Sequence, residues 1–578
     1  MTRLLSLALL LAASVSAQPA DTTRAPVPAD TTAAVLSDPL AEALAAVPRG
    51  PHAPLAAPLA GVIWSAPETD GAAVEDLARM RQAGIRAVRT GLVSEAILSA
   101  ADRLGIAVAQ ELPVADVPAS RLAARLAETE ALFAEALERA RPHPSARLFI
   151  LARGVDTSDR AARTFFERLD ALAESRGAEG TRTAYLTRFV DDDRASGTVD
   201  LVLLDARGRD PFELLARWRA QHETPAGLGA WGEGIVPGRE GGWRRAGTEA
   251  RQARTIERTL DRFLAMDAPP EVAFLARWRD REERGVRAEV ADLRYGLLAE
   301  DGTERPALTV ASGLFTGRQR VFAFDAGPPE AAPRSGLLVL IGWALVLGLG
   351  ALITVSPRLS GLVPQYFGRR DLYREAVQKG YGLSTGTTAG LAALLALVVG
   401  LVGATVLRAF AATDALAVAT ASWEPDAQSR MVRLVGSPAV LGGLLAVLYS
   451  SWLLLNVTWV GILAGRRHRL RPAQAVSLVV WPRWPWLLLL IGAMLVASLS
   501  PGTAGGWAAV LLVAALVVET LAAWRALVDL TYVGYVPQGK ALGLGFAIPF
   551  LVFLVGGIAL LVTAGAEAGF LWHLAVRS

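Results

Sequence analysis

The sequence contains no cysteine and only five histidines, and these two shortages exclude several kinds of site. Without cysteine, the chain forms neither a disulfide nor a thiolate metal site, and it has no cysteine nucleophile. The histidines are far apart in the sequence, which argues against a zinc site built on imidazoles. They are His52, His143, His222, His468 and His573. The sequence also lacks a phosphate-binding loop and a nucleophile elbow, so we expect no metal and no cofactor.

Charged residues are scarce as well, at 20% of the 578 residues, whereas 52% are hydrophobic and the mean hydropathy is +0.36. These values are too apolar for an ordinary globular protein and predict membrane spans. The length requires two or more folded units. The 58 Lys and Arg nearly balance the 55 Asp and Glu, and no stretch has the clustered basic face that nucleic acids require. We therefore expect the lipid bilayer as a partner and no nucleic acid.

The N-terminus has the pattern of an export signal, which we assign to residues 1–17. Arg3 is a short charged region, residues 4–13 are apolar, and Val15-Ser16-Ala17 fits a signal-peptidase site. The apolar run is too short to span a bilayer core of ~30 Å. Residues 18–58 are rich in Ala, Pro, Thr and Asp with little hydrophobic period, which predicts a disordered linker. The soluble part that follows is therefore predicted to be exported.

Residues 335–578 predict an all-α bundle of about six transmembrane helices. Each apolar stretch is near the ~20 residues that a span requires. The stretches are 335–355, 387–410, 437–463, 476–499, 506–528 and 543–565. With the preceding soluble part outside, the loops at 356–386 and 464–475 lie inside. These two loops carry nine of the 16 Arg and Lys of residues 335–578. The sequence thus predicts a multi-pass protein of the cytoplasmic membrane, with its N-terminal domain on the periplasmic or extracellular side.

Few ionisable residues fall inside the predicted spans, and Glu519 is the main one. An intramembrane charge is a functional candidate, so a transport role stays open beside anchoring or scaffolding. Arg408 and Arg525 lie near span ends, where snorkelling suffices. Residues 481–486 read WPRWPW, which is typical of an interfacial aromatic belt. The layout of spans and basic inner loops resembles that of the Yip family of polytopic membrane proteins.

Between the linker and the spans, residues 59–325 alternate between short apolar strands and amphipathic helices. Strands are predicted at 61–66, 87–91, 107–112, 147–152, 184–189, 200–205, 226–231 and 272–278. Eight strands over this length match a TIM (β/α)₈ barrel. The rival is an open doubly wound sheet, but no G-x-G-x-x-G motif follows the first strand. We therefore predict an α/β barrel.

Several motifs in this region are similar to the catalytic barrel of glycoside hydrolase family 2. Residues 76–90 read DLARMRQAGIRAVRT, and the family has a strand ending in "NAVRT" after a helix and a glycine. Residues 101–113 begin ADRLGIAV and end ELP, which resembles the family's "ADRLGILVxxExP". His143-Pro144-Ser145 resembles its "NHPS", and residues 295–307 resemble its closing segment. The resemblance implies a barrel that acts on, or derives from enzymes acting on, O-glycosidic bonds.

The two catalytic carboxylates that the resemblance implies are missing. Counted along the motifs, the acid/base pair falls on Arg153-Gly154 and the nucleophile on Ala230. Glycosidases need two carboxyl groups, ~5–9.5 Å apart, so hydrolysis would require displaced acids. The candidates are Glu111, Asp156 and Glu233, with Asp205 also ending a predicted strand. The alternative is that such acids form ion pairs with Arg89 and Arg153.

A barrel without hydrolysis can still bind a ligand, and four residues are candidates for contacting it. They are Arg89, Trp231, Trp243 and Trp278, and core packing is the alternative for each tryptophan. The glycines at 238, 241 and 242 predict a mobile loop around Trp243. We expect a membrane-anchored, exported barrel that binds a carbohydrate or protein partner and has lost hydrolysis. The alternatives are an active glycosidase with displaced carboxylates and a transport or scaffold protein with an accessory barrel.

Overall fold

The computed structural model describes most of the chain, and some predicted segments lie outside its described residues. The described residues are 59–280, 294–328, 336–381, 384–411, 413–419, 425–464, 470–499, 501–533, 536–539 and 569–574. The predicted signal peptide (1–17), the linker (18–58) and the sixth span (543–565) fall outside them. The described chain divides into two compact units, one before and one after about residue 331.

The N-terminal unit is a closed barrel of eight parallel strands, which confirms the predicted barrel. Each strand pairs with the next along the chain, and the last pairs with the first. Strands β1 to β8 are Gly61–Ile63, Ala87–Gly91, Ala107–Glu111, Leu148–Arg153, Arg182–Thr187, Leu201–Arg207, Ala226–Gly232 and Ala273–Leu275. Closure leaves no free edge, so the strands can be buried on both sides.

Helices cover the outside of the barrel. Helices α1 to α7 are Asp70–Gln82, Glu95–Leu104, Ala119–Ala140, Arg160–Arg176, Pro211–Gln221, Glu249–Leu264 and Pro306–Thr316. Their ends follow from local sequence: in α2, the Ser94 hydroxyl accepts a hydrogen bond from Ile97 N–H, and Gly105 ends the helix at a φ of 62°. A loop, residues 188–200, joins β5 to β6 without a helix.

Successive side chains along each strand point alternately into the barrel and toward the helices, which gives two hydrophobic layers. Ala109, Ile150, Leu186 and Leu203 belong to the cluster inside the barrel. Their neighbours, such as Val108 and Leu204, pack in the larger cluster between strands and helices. The interior is therefore filled with side chains, and polar residues that share the inward register lie at the carboxyl ends of the strands.

The C-terminal unit is helical. Helices α8 to α17 are Gly336–Val355, Pro357–Gly368, Arg370–Lys379, Thr385–Ala411, Asp414–Ala419, Pro425–Gly436, Pro438–Ala464, Pro472–Val480, Trp486–Ser498 and Pro501–Val533. Within the described residues, four helices are long and apolar enough to cross a membrane. A fifth span results if residues 472–483 and 486–498, which meet at a bend of 44°, are counted together.

Small residues allow α11 and α14 to cross closely. A Cβ atom added at Gly400 would lie 2.3 Å from the carbonyl oxygen of Gly442. Close approach through glycine is the usual way in which apolar helices associate where lipid removes the hydrophobic driving force.

Candidate functional site

The polar residues that the sequence singled out in the barrel lie at its mouth, the end where the strands have their carboxyl termini. Arg89 lies on β2, Glu111 ends β3 and Arg153 ends β4. The register pairs Arg89 with Ala109 and Gly91 with Glu111. Barrel enzymes place their chemistry at this end, so the mouth is the candidate site.

Glu111 is held between two arginines. Its Oε2 accepts hydrogen bonds from Arg89 Nε at 3.0 Å and from Arg89 Nη2 at 2.5 Å. Its Oε1 lies 3.0 Å from Arg153 Nε. The Arg89 side chain is only 5% exposed and that of Glu111 is 16% exposed. The alternative that these acids form ion pairs with Arg89 and Arg153 is thus confirmed for Glu111, which pairs with both arginines.

Arg89 also reaches across the barrel to β7. Its Nη1 donates to the Gly229 carbonyl oxygen at 2.7 Å. The β7–β8 and β6–β7 registers shift at this point, which leaves that carbonyl outside the regular ladder. A Cβ atom at Gly229 would lie 2.4 Å from Leu186 Cδ1 and 2.9 Å from Leu203 Cβ, so a side chain there would displace its neighbours. Arg89 and Leu186 are both buried at this end of the barrel.

Asp205, on β6, forms a second arginine-neutralised group. Its carboxylate accepts from Arg207 Nε at 3.0 Å and Nη2 at 2.7 Å. Arg188 Nε and Nη2 lie 3.3 Å from Asp205 Oδ2. Burial opposes ionisation of this carboxyl, but Arg207 and Arg188 outweigh it and hold the pKa of Asp205 well below its usual range. Asp205 therefore stays ionised and cannot act as a general acid near neutral pH.

The positions of the expected catalytic pair carry no carboxyl group. Gly154 has a φ of 61°, and its N–H donates to the Leu186 carbonyl at 2.9 Å. Ala230 is buried, with 2% of its surface exposed. A side chain at Gly154 would be strained by the left-handed backbone. The local backbone thus suits glycine rather than the acid/base residue of a glycosidase.

The displaced acids have polar partners of their own. Asp156 is buried and accepts from Ser158 N at 3.1 Å and from Ser158 Oγ at 2.6 Å. Glu233, half-buried, accepts from Arg251 Nε at 3.2 Å. Glu111, Asp205 and Glu233 are therefore each paired with arginine. Their catalytic role stays a prediction.

The side chains of Trp231 and Trp278 are buried at 1% exposure, so this conformation gives no support to their predicted ligand-contacting roles. Trp231 packs edge-on against Phe263, with ring centroids 5.6 Å apart. Neither indole can present a face to a sugar ring. The core-packing alternative that the sequence left open accounts for both.

Trp243 is the one accessible residue of the four candidates, since Arg89 is also buried. Arg258 lies over its ring at 4.9 Å from the centroid. Gly242, in the loop that the sequence predicts to be mobile, packs on the segment around Gly327: a Cβ atom there would lie 2.2 Å from the Gly327 nitrogen. Trp243 N also donates to the Asp325 carbonyl at 2.9 Å. Glycine here allows close backbone packing, and the mobility of the loop stays a prediction.

In the helical unit, Glu519 of α17 has a partner that the sequence reasoning missed. Arg483 Nε and Nη2 donate to Glu519 Oε1 at 3.0 and 2.6 Å, and Trp452 Nε1 donates to the same oxygen at 3.0 Å. Oε2 accepts from Tyr449 Oη at 2.8 Å and Trp486 Nε1 at 3.2 Å. We call these five residues the Glu519 cluster. Its carboxylate is saturated by donors from three other elements.

The segment at residues 481–486, predicted as an interfacial aromatic belt, packs largely within the helical unit, and its depth in a membrane stays a prediction. Trp481, Arg483 and Trp486 are buried in the helical unit, and Arg483 is only 1% exposed. The bend between α15 and α16 carries this guanidinium inward, where its Nη1 also donates to the Val479 carbonyl at 2.6 Å. A buried acid in an apolar helix requires a positively charged partner, and for Glu519 this segment supplies Arg483.

A second ion-pair group ties α10 to the end of α17. Asp529 is buried and accepts from Arg370 Nη2 at 2.8 Å and Arg374 Nε at 3.0 Å. Arg374 also lies 4.0 Å from the Tyr532 ring centroid. Sequence analysis assigned these arginines to an inner loop and did not single out Asp529. Within the part of the chain that the structure describes, no group of three or more His, Asp or Glu is arranged to hold a metal.

No family model matches the chain, and no curated protein matches it. Solved structures with a similar barrel are glycoside hydrolase family 2 enzymes. They include a β-galacturonidase from Eisenbergiella tayi bound to galacturonate (14% identity, 46% of this chain, 52% of that chain, TM-score 0.40). A β-glucuronidase from an uncultured Clostridium is 16% identical over 44% of this chain and 50% of that chain, with a TM-score of 0.39. The chain spans about half the length of the structures it matches.

Proposed function

We propose that the chain is a membrane-anchored protein whose exported barrel binds a partner and does not hydrolyse glycosides. The observation that carries this proposal is the chemistry of the mouth. Gly154 and Ala230 stand at the positions of the two catalytic carboxylates, and Glu111 and Asp205 are each neutralised by two arginines. A retaining or inverting mechanism needs two facing carboxyl groups, one of them protonated. The arginines beside Glu111 and Asp205 instead favour the ionised form of these carboxyl groups.

The burial of the candidate ligand-contacting residues favours a protein partner over a bound sugar. Arg89, Trp231 and Trp278 are all buried. A sugar site needs a concave pocket with accessible stacking faces, whereas a protein can contact the rim. Trp243 with Arg258 is the rim feature that we expect to take part, because tryptophan and arginine are enriched among residues that dominate interfaces.

Hydrolysis is tested with the full-length protein in detergent micelles against a panel of aryl β-glycosides, including neutral sugars and uronides. We expect no aglycone release above the blank. Release that drops in Asp156→Ala or Glu233→Ala would establish displaced catalysis and overturn the proposal. The same protein on a glycan array distinguishes the two kinds of partner: binding lost in Trp243→Ala would assign a sugar ligand to the rim.

The absence of cysteine allows a direct test of export and orientation. Ala124 is exposed on α3 of the barrel, and Asp371, with a side chain 99% exposed, lies on α10 in the predicted inner loop. We expect a membrane-impermeant maleimide to label Ala124→Cys in intact cells and Asp371→Cys only after lysis. Labelling of Asp371→Cys in intact cells would reverse the orientation.

The pairing of Glu519 supports anchoring or scaffolding over solute transport. Its charge is matched by Arg483, and its oxygens are occupied by five donors. A carboxylate that carries an ion or proton through a membrane has to exchange partners, whereas this one joins elements of the unit. We expect vesicles that contain the Glu519→Gln variant to show the same solute flux as vesicles that contain the unaltered protein.

A further inference from the structure

The helical unit contains a cavity of about 430 Å³ between α14 and α17. This volume lies within the range of ligand sites, ~300–1,000 Å³. Its wall is mostly aliphatic and aromatic, and the Glu519 cluster contributes to it with all five residues. We propose that this cavity is a binding site for one acyl chain of a membrane phospholipid.

The opening of the cavity faces the side where lipid would lie. Leu448, Leu512 and Leu516 line the cavity and are exposed, by 46%, 37% and 44%. They belong to α14 and α17, two of the helices that are long and apolar enough to cross a membrane. Leucines exposed on such helices contact the hydrocarbon of the bilayer, so the cavity opens toward acyl chains rather than toward water.

The polar groups of the wall do not call for a charged ligand. Arg483 and Glu519 neutralise each other, and the tryptophan and tyrosine donors are directed at the same carboxylate. Asn456 and Thr520 also line the cavity, and their side chains donate to the carbonyls of Trp452 and Leu516 on their own helices, each at 2.8 Å. The rest of the wall consists of aromatic rings, including that of Trp459, and aliphatic side chains. An apolar chain fits this wall, since it asks for no hydrogen bond.

An unfilled cavity of this size would be unfavourable. The lining atoms would lose dispersion contacts, and an apolar cavity does not hold water well. The broken span points the same way, because Arg483 and Trp486, on either side of the bend, both line the cavity. Irregular backbone at membrane depth is tolerated where it lines a cavity, and in transporters such breaks mark ligand sites.

The test is photolabelling of the full-length protein, freed of lipid and held in detergent micelles. The probe is a phosphatidylcholine with a diazirine in one acyl chain, and the adducts are mapped by peptide mass spectrometry. We expect adducts on Trp452 and Glu519 that saturate as the probe fraction rises. Adducts on Leu454, exposed on α14 outside the cavity wall, should rise linearly.

Matched variants on α17 make the outcome decisive. Ala515→Phe and Ala523→Phe add a ring to the cavity wall, whereas Val513→Phe adds the same ring at a 48% exposed position outside it. We expect a fivefold or greater loss of Trp452 and Glu519 adducts in the first two and no loss in the third. Equal labelling in all variants overturns the proposal. Non-saturating adducts in the unaltered protein overturn it even if the filled variants do not fold.

Discussion

Replacing Glu111 by alanine tests whether the mouth is built for stability rather than for catalysis. In the intact protein, Glu111 accepts two hydrogen bonds from Arg89 and lies 3.0 Å from Arg153. The change leaves Arg89 at 5% exposure with a single acceptor, the Gly229 carbonyl. Removing one partner of a buried pair costs about 3–5 kcal/mol, because the remaining charge cannot be hydrated.

The expected loss is measured as a fall in the melting temperature of the barrel unit, followed by near-ultraviolet circular dichroism of the full-length protein. With about 2–4 °C per kcal/mol for domains of 150–250 residues, the Glu111→Ala melt should drop by about 6–20 °C. Glu135→Ala is the matched control. Its carboxylate pairs with Arg139 one turn away on α3 at 66% exposure, so its loss should cost at most ~0.5 kcal/mol.

A double variant separates the buried charge from the loss of packing. Arg89→Met with Glu111→Leu removes both members of the pair, and apolar replacement of a buried pair is often neutral. We expect this variant to melt above Glu111→Ala. An unchanged or raised melting temperature in Glu111→Ala would refute the reasoning. A raised melting temperature is expected when a strained catalytic residue is removed, because such a change tends to stabilise a protein at the expense of activity.

Three further predictions concern other contacts. Arginine holds the folded-state pKa of Asp205 below its unfolded value of about 3.9, so its stabilising contribution is complete well above pH 4 and is lost as pH falls from there toward the folded pKa. Asp205→Asn should flatten this acid limb in melts between pH 5 and pH 2, and an unaltered limb contradicts it. Gly229→Ala should cost about 1–3 kcal/mol by overpacking against Leu186, and an unchanged urea midpoint would contradict the close contact. Glu519→Gln should lower the melting temperature of the helical unit in detergent, whereas Glu375→Gln, which removes an exposed pair with Lys379, should not.

The eight strands were predictable because each is a short apolar run followed by a turn and an amphipathic helix. Their ends were less so. The predicted strand 272–278 is only Ala273–Leu275, since Arg277 adopts a φ of 96° that stops the ladder. The first strand likewise ends at Ile63, although Trp64 N still donates to the Arg89 carbonyl at 2.8 Å. Apolar patterns locate strands, but a single backbone angle ends them.

The partners of charged residues were harder to predict than the fold. Glu519 stood out as an acid in an apolar helix, but Arg483 is 36 positions away and reaches it only through the bend between α15 and α16. No spacing rule for one helix connects them. The same holds for Asp205 and Arg188, which meet because β5 and β6 are neighbours. A buried acid requires a nearby cation, so a search for arginines in the neighbouring buried segments could have found these partners.

The electrostatics of the mouth argue further that restoring one residue would not restore a glycosidase. A catalytic acid needs a carboxyl group kept protonated near neutral pH, which apolar burial away from cations provides. Here Arg89, Arg153, Arg188 and Arg207 surround the acids, and the pKa of Asp205 is shifted downward. A glutamate placed at Ala230 would enter the same positive field and pair with arginine. The proposed loss of hydrolysis therefore rests on the arrangement of the arginines as much as on the absence of carboxyl groups at Gly154 and Ala230.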